Sequence, residues 1–164
     1  MNHSRAKAIF EEIQSRPYNV SVDPMEKVNN CYYKGMELIQ KLGTLGYPVR
    51  GRVGETYWDT NIIPKEIVDL FPSDVPVLHF YVEVMIDGNW CTLDPSFQPE
   101  LERLGFTIGS WDFGKPCFDM IKVYSHDEAL ELQDHLDKED VQRDYYVRSR
   151  DGLEALSKWF SAQA

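Results

Sequence analysis

Three residues of this chain have the types needed for acyl chemistry: Cys31, His79 and Asp94. A thiolate attacks a carbonyl carbon, an imidazole carries the proton, and a carboxylate holds the imidazole in one tautomer. They are far apart in sequence, so the chemistry exists only if the fold brings them together. The stretch 77–97, VLHFYVEVMIDGNWCTLDPSF, supplies two of them. Its two β-rich runs flank Asp87-Gly88, and such a pair is a strong hairpin signal because a two-residue primed turn needs residues that tolerate positive φ. With Asp87 and Gly88 as the turn, Ile86 opposes Asn89 and Tyr81 opposes Asp94. His79, Tyr81, Glu83 and Met85 then share a face with Trp90, Thr92 and Asp94, and His79 becomes the diagonal neighbour of Asp94. A slip of one residue would send the two groups to opposite faces.

The nucleophile needs its own support. Cys31 opens the clearest amphipathic helix, 31–45, in which Cys31, Gly35, Leu38, Leu42 and Leu45 form one stripe with Met36 and Ile39 beside it. A thiol at the head of a helix meets unpaired backbone N–H groups and the positive end of the dipole, which favours thiolate. Gly35, one turn on, leaves room for a neighbouring strand. The backbone N–H of Cys31, with the Asn29 or Asn30 side chain, would steady a developing oxyanion. Trp90, Trp111, Tyr81 and Glu83 are the residues that this register and the following loop offer for pocket walls. Glu83 competes with Asp94 as partner of His79, or else pairs with Arg50 or Arg52.

Composition bounds the class. The chain has 164 residues, 43% of them apolar and nine of them tyrosine, which fits one folded α+β domain with a real core. Its 17 basic and 27 acidic side chains leave a formal charge of −10, a poor match for nucleic acid or an anionic membrane. The first residues carry no secretory apolar region and no run approaches a membrane span, so cytoplasm is the expected compartment. Three cysteines without close pairing read as free thiols. No metal or cofactor motif is present, and the acidic run 137–144 lacks calcium-loop spacing.

Taken in order, 4–15 reads as a helix ended by Pro17. Asp23-Pro24-Met25-Glu26 has the makings of a helix start, leaving open whether a short helix stops at Asn29-Asn30 or one runs through Cys31. Residues 48–58 read as a strand, and a short helix begins at Pro64. Residues 98–115 are loop-rich around Trp111, and 117–124 could be a last strand. Ser125 with Glu128 makes a capping box for a helix to about Leu136. Residues 137–150 are charged and compatible with helix, and a final helix runs over 152–163. The expected organisation is an N-terminal helix at 1–17, a core at 29–124 and a helical extension at 125–164. Leu153, Leu156, Trp159 and Phe160 would face inward, or dock on a second copy.

A cysteine helix followed by an arginine-bearing strand (NNCYYKGMELIQKLGTLGYPVRGRV), a histidine strand (HFYVEV) and GNWCTLDPSF resemble the transglutaminase-like superfamily over about 29–97. The resemblance implies a papain-like architecture, an antiparallel sheet packed on the helix that begins at the nucleophile. It places the triad on Cys31, His79 and Asp94, and an acid often found in the family on Glu83. Phe80 stands where that family commonly has a small residue, and Asn29-Asn30 where it often has glycine. The implied activity is cysteine-dependent hydrolysis of amide or peptide bonds in a protein or peptide substrate, with amine transfer as a variant and no cofactor. The rival expectation is an inactive domain of that fold that binds a protein partner. Taken singly, each triad residue is more often structural; order, face and register together raise the catalytic reading. Cys91, Cys117, His126 and His135 are expected to be core or surface groups.

Overall fold

Asp87 and Gly88 adopt φ of 49° and 82° in the computed structural model, which describes residues 3–136 and 138–164. Positive φ at both positions makes the turn a primed one, whose twist matches the strands it joins. Strand β2 (Val77–Ile86) therefore folds back on β3 (Asn89–Leu93), with Ile86 opposite Asn89 and Met85 opposite Trp90. This is the register read from the sequence.

On its other edge β2 pairs antiparallel with β1 (Val49–Thr56), and Gly54 lies opposite His79. A two-residue strand β4 (Lys122–Val123) adds to β1, giving the order β3-β2-β1-β4. The expected strand over 117–124 shrinks to these two residues, because Cys117 and Phe118 turn back toward Asp94 rather than extend. The class is thus α+β, with a four-stranded antiparallel sheet.

Helix α2 (Cys31–Thr44) lies across β1 and β2 and buries Lys34, Gly35, Leu38 and Leu42. Met36, expected beside that stripe, is 41% exposed, since it falls on the outer side of the helix. Phe80 is seated between helix and strand: a Cβ built on Gly35 would come within 2.6 Å of its ring, and one on Gly51 within 2.5 Å. Two glycines thus make the space that a bulky residue after His79 requires. Helix α1 (His3–Gln14) covers α2 with Ala6, Phe10 and Ile13, completing one core with Val82, Val84 and Leu93.

The second core is built from loops and the C-terminal helix. Tyr18, Trp58, Phe97, Leu101 and Phe106 meet Leu153, Leu156 and Phe160. The loop-rich region contains a 3-10 turn, Pro99–Leu104, that buries Leu101. Helices α3 (Lys65–Val68) and α4 (His126–Leu136) follow the sequence expectation, and Ser125 and Glu128 bond reciprocally as a capping box. The last two helical segments are one helix, α5 (Glu139–Ser161). It runs through Gly152 because Phe71 packs on that residue; a Cβ there would sit 2.7 Å from the ring. Asp137, where the charged segment was expected to begin, lies outside the described residues. Among the described residues no helix is long and apolar enough to cross a membrane.

Candidate active site

The helix that carries Cys31 starts at that residue. Asp23 bonds the Met25 N–H in a local turn, so no helix forms ahead of Asn30. Asn30 is the N-cap, and its Oδ1 accepts from the Tyr33 N–H at 2.9 Å. The sulfur therefore sits on the first helical residue, where backbone N–H groups have no partner within the helix. Capping also commits the Asn30 carboxamide: its oxygen faces the helix, leaving only Nδ2 as a donor. Asn29 is half-buried, and its backbone carbonyl accepts from the Asn19 N–H at 3.3 Å.

The hairpin delivers the other two groups. His79 Nε2 lies 2.6 Å from Asp94 Oδ2, and each residue is 1% exposed. Asp94 is saturated: Oδ2 also accepts from the Cys117 N–H at 2.8 Å, while Oδ1 accepts from the Ser96 N–H at 3.1 Å and the Ser96 hydroxyl at 2.6 Å. Burial pushes the Asp94 carboxyl up, but the charge and hydrogen bond of His79, with Cys117 and Ser96, hold it at about 2. Burial pushes His79 down, yet the Asp94 charge and hydrogen bond, joined by Cys31, lift the imidazole to about 10. The pair is therefore an ion pair at neutral pH. With Nε2 engaged by Asp94, Nδ1 is the ring nitrogen left over, and His79 and Cys31 line one cavity.

Neither a family model, nor a curated protein, nor a solved structure matches this chain.

Cys31 and His79 line a cavity of about 130 Å³ with Leu78 and Phe80, and Ala129 and Leu132 of α4 form its outer wall. None of the four residues offered for the pocket walls takes that place. Glu83 is held by Arg50 at 2.6 Å and Arg52 at 3.4 Å, because the β1 register sets those arginines beside it. Trp90 lies under the Arg50 guanidinium, 4.0 Å from its ring centroid, at the far end of the hairpin. Trp111 packs on Phe10 and Phe113 in the first core, on the helix-covered side of the sheet. Tyr81 is buried and stacks near the histidine, with centroids 6.2 Å apart and planes 17° from parallel, so it backs the ring rather than walls the cavity. Cys91 is half-buried against the first core, and His126 and His135 are exposed.

Lys34, Phe118, Tyr18 and Gly109 also shape the site. Lys34 is 1% exposed, and its ammonium donates to the carbonyl oxygens of Gln14 at 3.1 Å, Ser96 at 2.9 Å and Arg16. Burial first, and the Arg16 charge second, bring it down to about 7. It ties the end of α1 to the turn that shapes Asp94. The sequence held a signal for it, since residues 31, 34, 38 and 42 also lie on one helical stripe. The Phe118 ring lies tilted against His79, with centroids 4.6 Å apart, and Tyr18 is buried in the core against which Cys31 packs. Gly109 meets the Asp94 carbonyl so closely that a Cβ would be 1.9 Å away. These contacts come from loops, where sequence periodicity carries no information. Among the described residues no group of three His, Cys, Asp or Glu side chains is placed to hold a metal ion.

Proposed function

We propose that this chain is a transglutaminase-like cysteine enzyme that cleaves amide or peptide bonds through an acyl-enzyme. The observation that carries the reading is a histidine held at Nε2 by a saturated, buried carboxylate and sharing one cavity with a thiol at a helix head. The imidazolium favours thiolate at Cys31 by charge. Cys31 Sγ bonds to the carbonyl carbon, and the oxyanion faces the N–H groups of the first helical turn. The tetrahedral intermediate collapses, the C–N bond breaks, and His79 gives its proton to the leaving amine. Water then attacks the thioester, His79 takes a proton from it, and the acid leaves with the thiol restored. An amine in place of water would give transfer by the same steps. Hydrolysis is favoured because the chemistry asks for no second substrate. Asp94 holds the ring orientation and its charge throughout.

The rival reading, a binding module with this fold, draws on the depth of the pair: a His79–Asp94 bridge at 1% exposure can serve as a tie between β2, β3 and the Cys117 loop. Alkylation by iodoacetamide separates the two. An enzyme reacts at Cys31 in preference to Cys91 and Cys117, and H79A reduces the Cys31 rate at neutral pH. Equal labelling of the half-buried Cys31 and Cys91, indifferent to H79A, would leave the binding module.

A further inference from the structure

A larger cleft, of about 350 Å³, is lined by Val77, the strand residue before Leu78, which lines the Cys31 cavity. Its walls are Tyr57 and Trp58 after β1, Val68 and Phe71 from the α3 region, Val77 at the start of β2, and Tyr145 of α5. Three connections fix its place relative to the chemistry. Val77 precedes His79 by two residues on one strand, so both side chains project to one face about 7 Å apart. Trp58 reaches the histidine through Phe118, with ring centroids 5.4 Å and then 4.6 Å apart. Tyr145 and Cys31 pack against the same core cluster.

The chemistry of the walls selects the occupant. The charge at the mouth, Asp69, is paired with Lys65 at 2.6 Å, so a charged side chain would find no free counter-ion there. Ring edges of Tyr57, Trp58, Phe71 and Tyr145 favour another ring. Ser149 is fully buried and faces the cleft; its hydroxyl lacks a well-formed hydrogen bond and has the Tyr145 phenol as its polar neighbour. The volume lies within the roughly 300–1,000 Å³ of ligand clefts.

We propose that this cleft binds the aromatic side chain, phenylalanine or tyrosine, of the residue whose carbonyl Cys31 attacks. The assignment rests on Cys31 being the nucleophile. The cleft is built partly from α5, so the C-terminal extension belongs to substrate recognition.

The test is the rate of Cys31 alkylation by N-acetyl-aminoacyl chloromethyl ketones, in which Sγ bonds to the methylene carbon, chloride leaves and the thiol proton passes to buffer. Phenylalanyl, tyrosyl, glycyl and aspartyl reagents are compared, with iodoacetamide as the side-chain-free control and peptide mapping to locate the adduct. Burying one ring is worth roughly 10- to 100-fold, so the phenylalanyl and tyrosyl reagents are expected to exceed glycyl by that factor and aspartyl to fall below it. Filling the cleft with V68W, or with V75W should the first fail to fold, brings the phenylalanyl-to-glycyl ratio toward one. Equal rates for phenylalanyl and glycyl reagents, with iodoacetamide still selective for Cys31, would overturn the cleft assignment and leave the nucleophile standing. Iodoacetamide that shows no preference for Cys31 would remove the nucleophile and the cleft assignment together.

Discussion

Asp94→Asn removes one charge from a buried pair and nearly preserves its shape. Two costs follow, with different pH dependence. The first is geometric. The His79 ring and the Cys117 N–H approach Oδ2, and two Ser96 groups approach Oδ1. A carboxylate accepts at both ends, whereas an amide turns an N–H₂ toward one pair of donors in either flip. That cost, about 1–3 kcal/mol, is the same at every pH. The second is electrostatic. His79 is lifted from 6.5 to about 10, a preference for the charged ring of roughly 5 kcal/mol, in line with the 3–5 kcal/mol lost when a buried pair is broken. The folded value lies above the unfolded one, so this stabilisation is complete below 6.5 and is lost as pH rises through about 10. Asp94 moves the other way, from 3.8 to about 2, so its share is present above 3.8 and lost as pH falls through about 2. The stability gap between wild type and D94N should therefore be widest between about pH 4 and 6.5 and narrow steadily toward pH 10. Lys34 titrates in both proteins and largely cancels in the difference. Urea unfolding of both proteins at several pH values from 4 to 10 measures the gap. A gap that stays flat from pH 6.5 to 10 would refute the ion pair.

Cys31→Ala should abolish adduct formation at that position and turnover of any amide substrate while changing stability by less than about 1 kcal/mol, because the side chain is half-buried; mass spectrometry and thermal unfolding read the two. Gly35→Ala should destabilise by about 1–3 kcal/mol despite alanine's better helix propensity, since the new Cβ meets the Phe80 ring, and F80L should restore much of the loss; a double-mutant cycle by urea unfolding detects that coupling. Lys34→Met should cost about 2–4 kcal/mol by leaving three carbonyls without their donor, and should slow Cys31 alkylation less than H79A does, because it acts only through the turn at Ser96. Ala129→Trp should close the Cys31 cavity and lower the rate of bulky electrophiles more than that of iodoacetamide.

The sequence showed most where periodicity and turn chemistry are strict. Asp87-Gly88 alone fixed the hairpin register, and that register brings His79 beside Asp94 across fifteen residues. The stripe from Cys31 to Leu42 gave the central helix and the side it buries. What stayed hidden depends on contacts between segments with no period. The loop at Cys117 supplies an N–H to Asp94, and nothing in PCFDM announces it. The sequence suggests a final helix beginning at Gly152, whereas one helix runs through that residue and Phe71 packs on it. Trp90 and Trp111 are offered as pocket walls by residue type, but one ends under Arg50 and the other in the core beneath α1. The alternation of a strand gives the face and not the distance along it.

A buried ion pair is a poor way to stabilise a fold. Removing both charges from water costs several kcal/mol each, and apolar residues of the same shape often serve the core as well or better. The surroundings of His79 make that exchange easy: Tyr81 stacks near it, Phe118 packs on it at a tilt, and Phe97 and Trp58 lie behind Phe118. A leucine pair would fit such company. Instead the fold spends four hydrogen bonds on Asp94, aims Lys34 at the carbonyl of Ser96, and brings Gly109 against the Asp94 carbonyl. The hydrogen bonds hold the carboxylate in place and ionised, while Lys34 and Gly109 fix the backbone that carries it. The charge so protected lies against a ring that shares a cavity with a sulfur at a helix head. Stability alone gives no reason for that arrangement, and the proposed proton exchange with a thiol does.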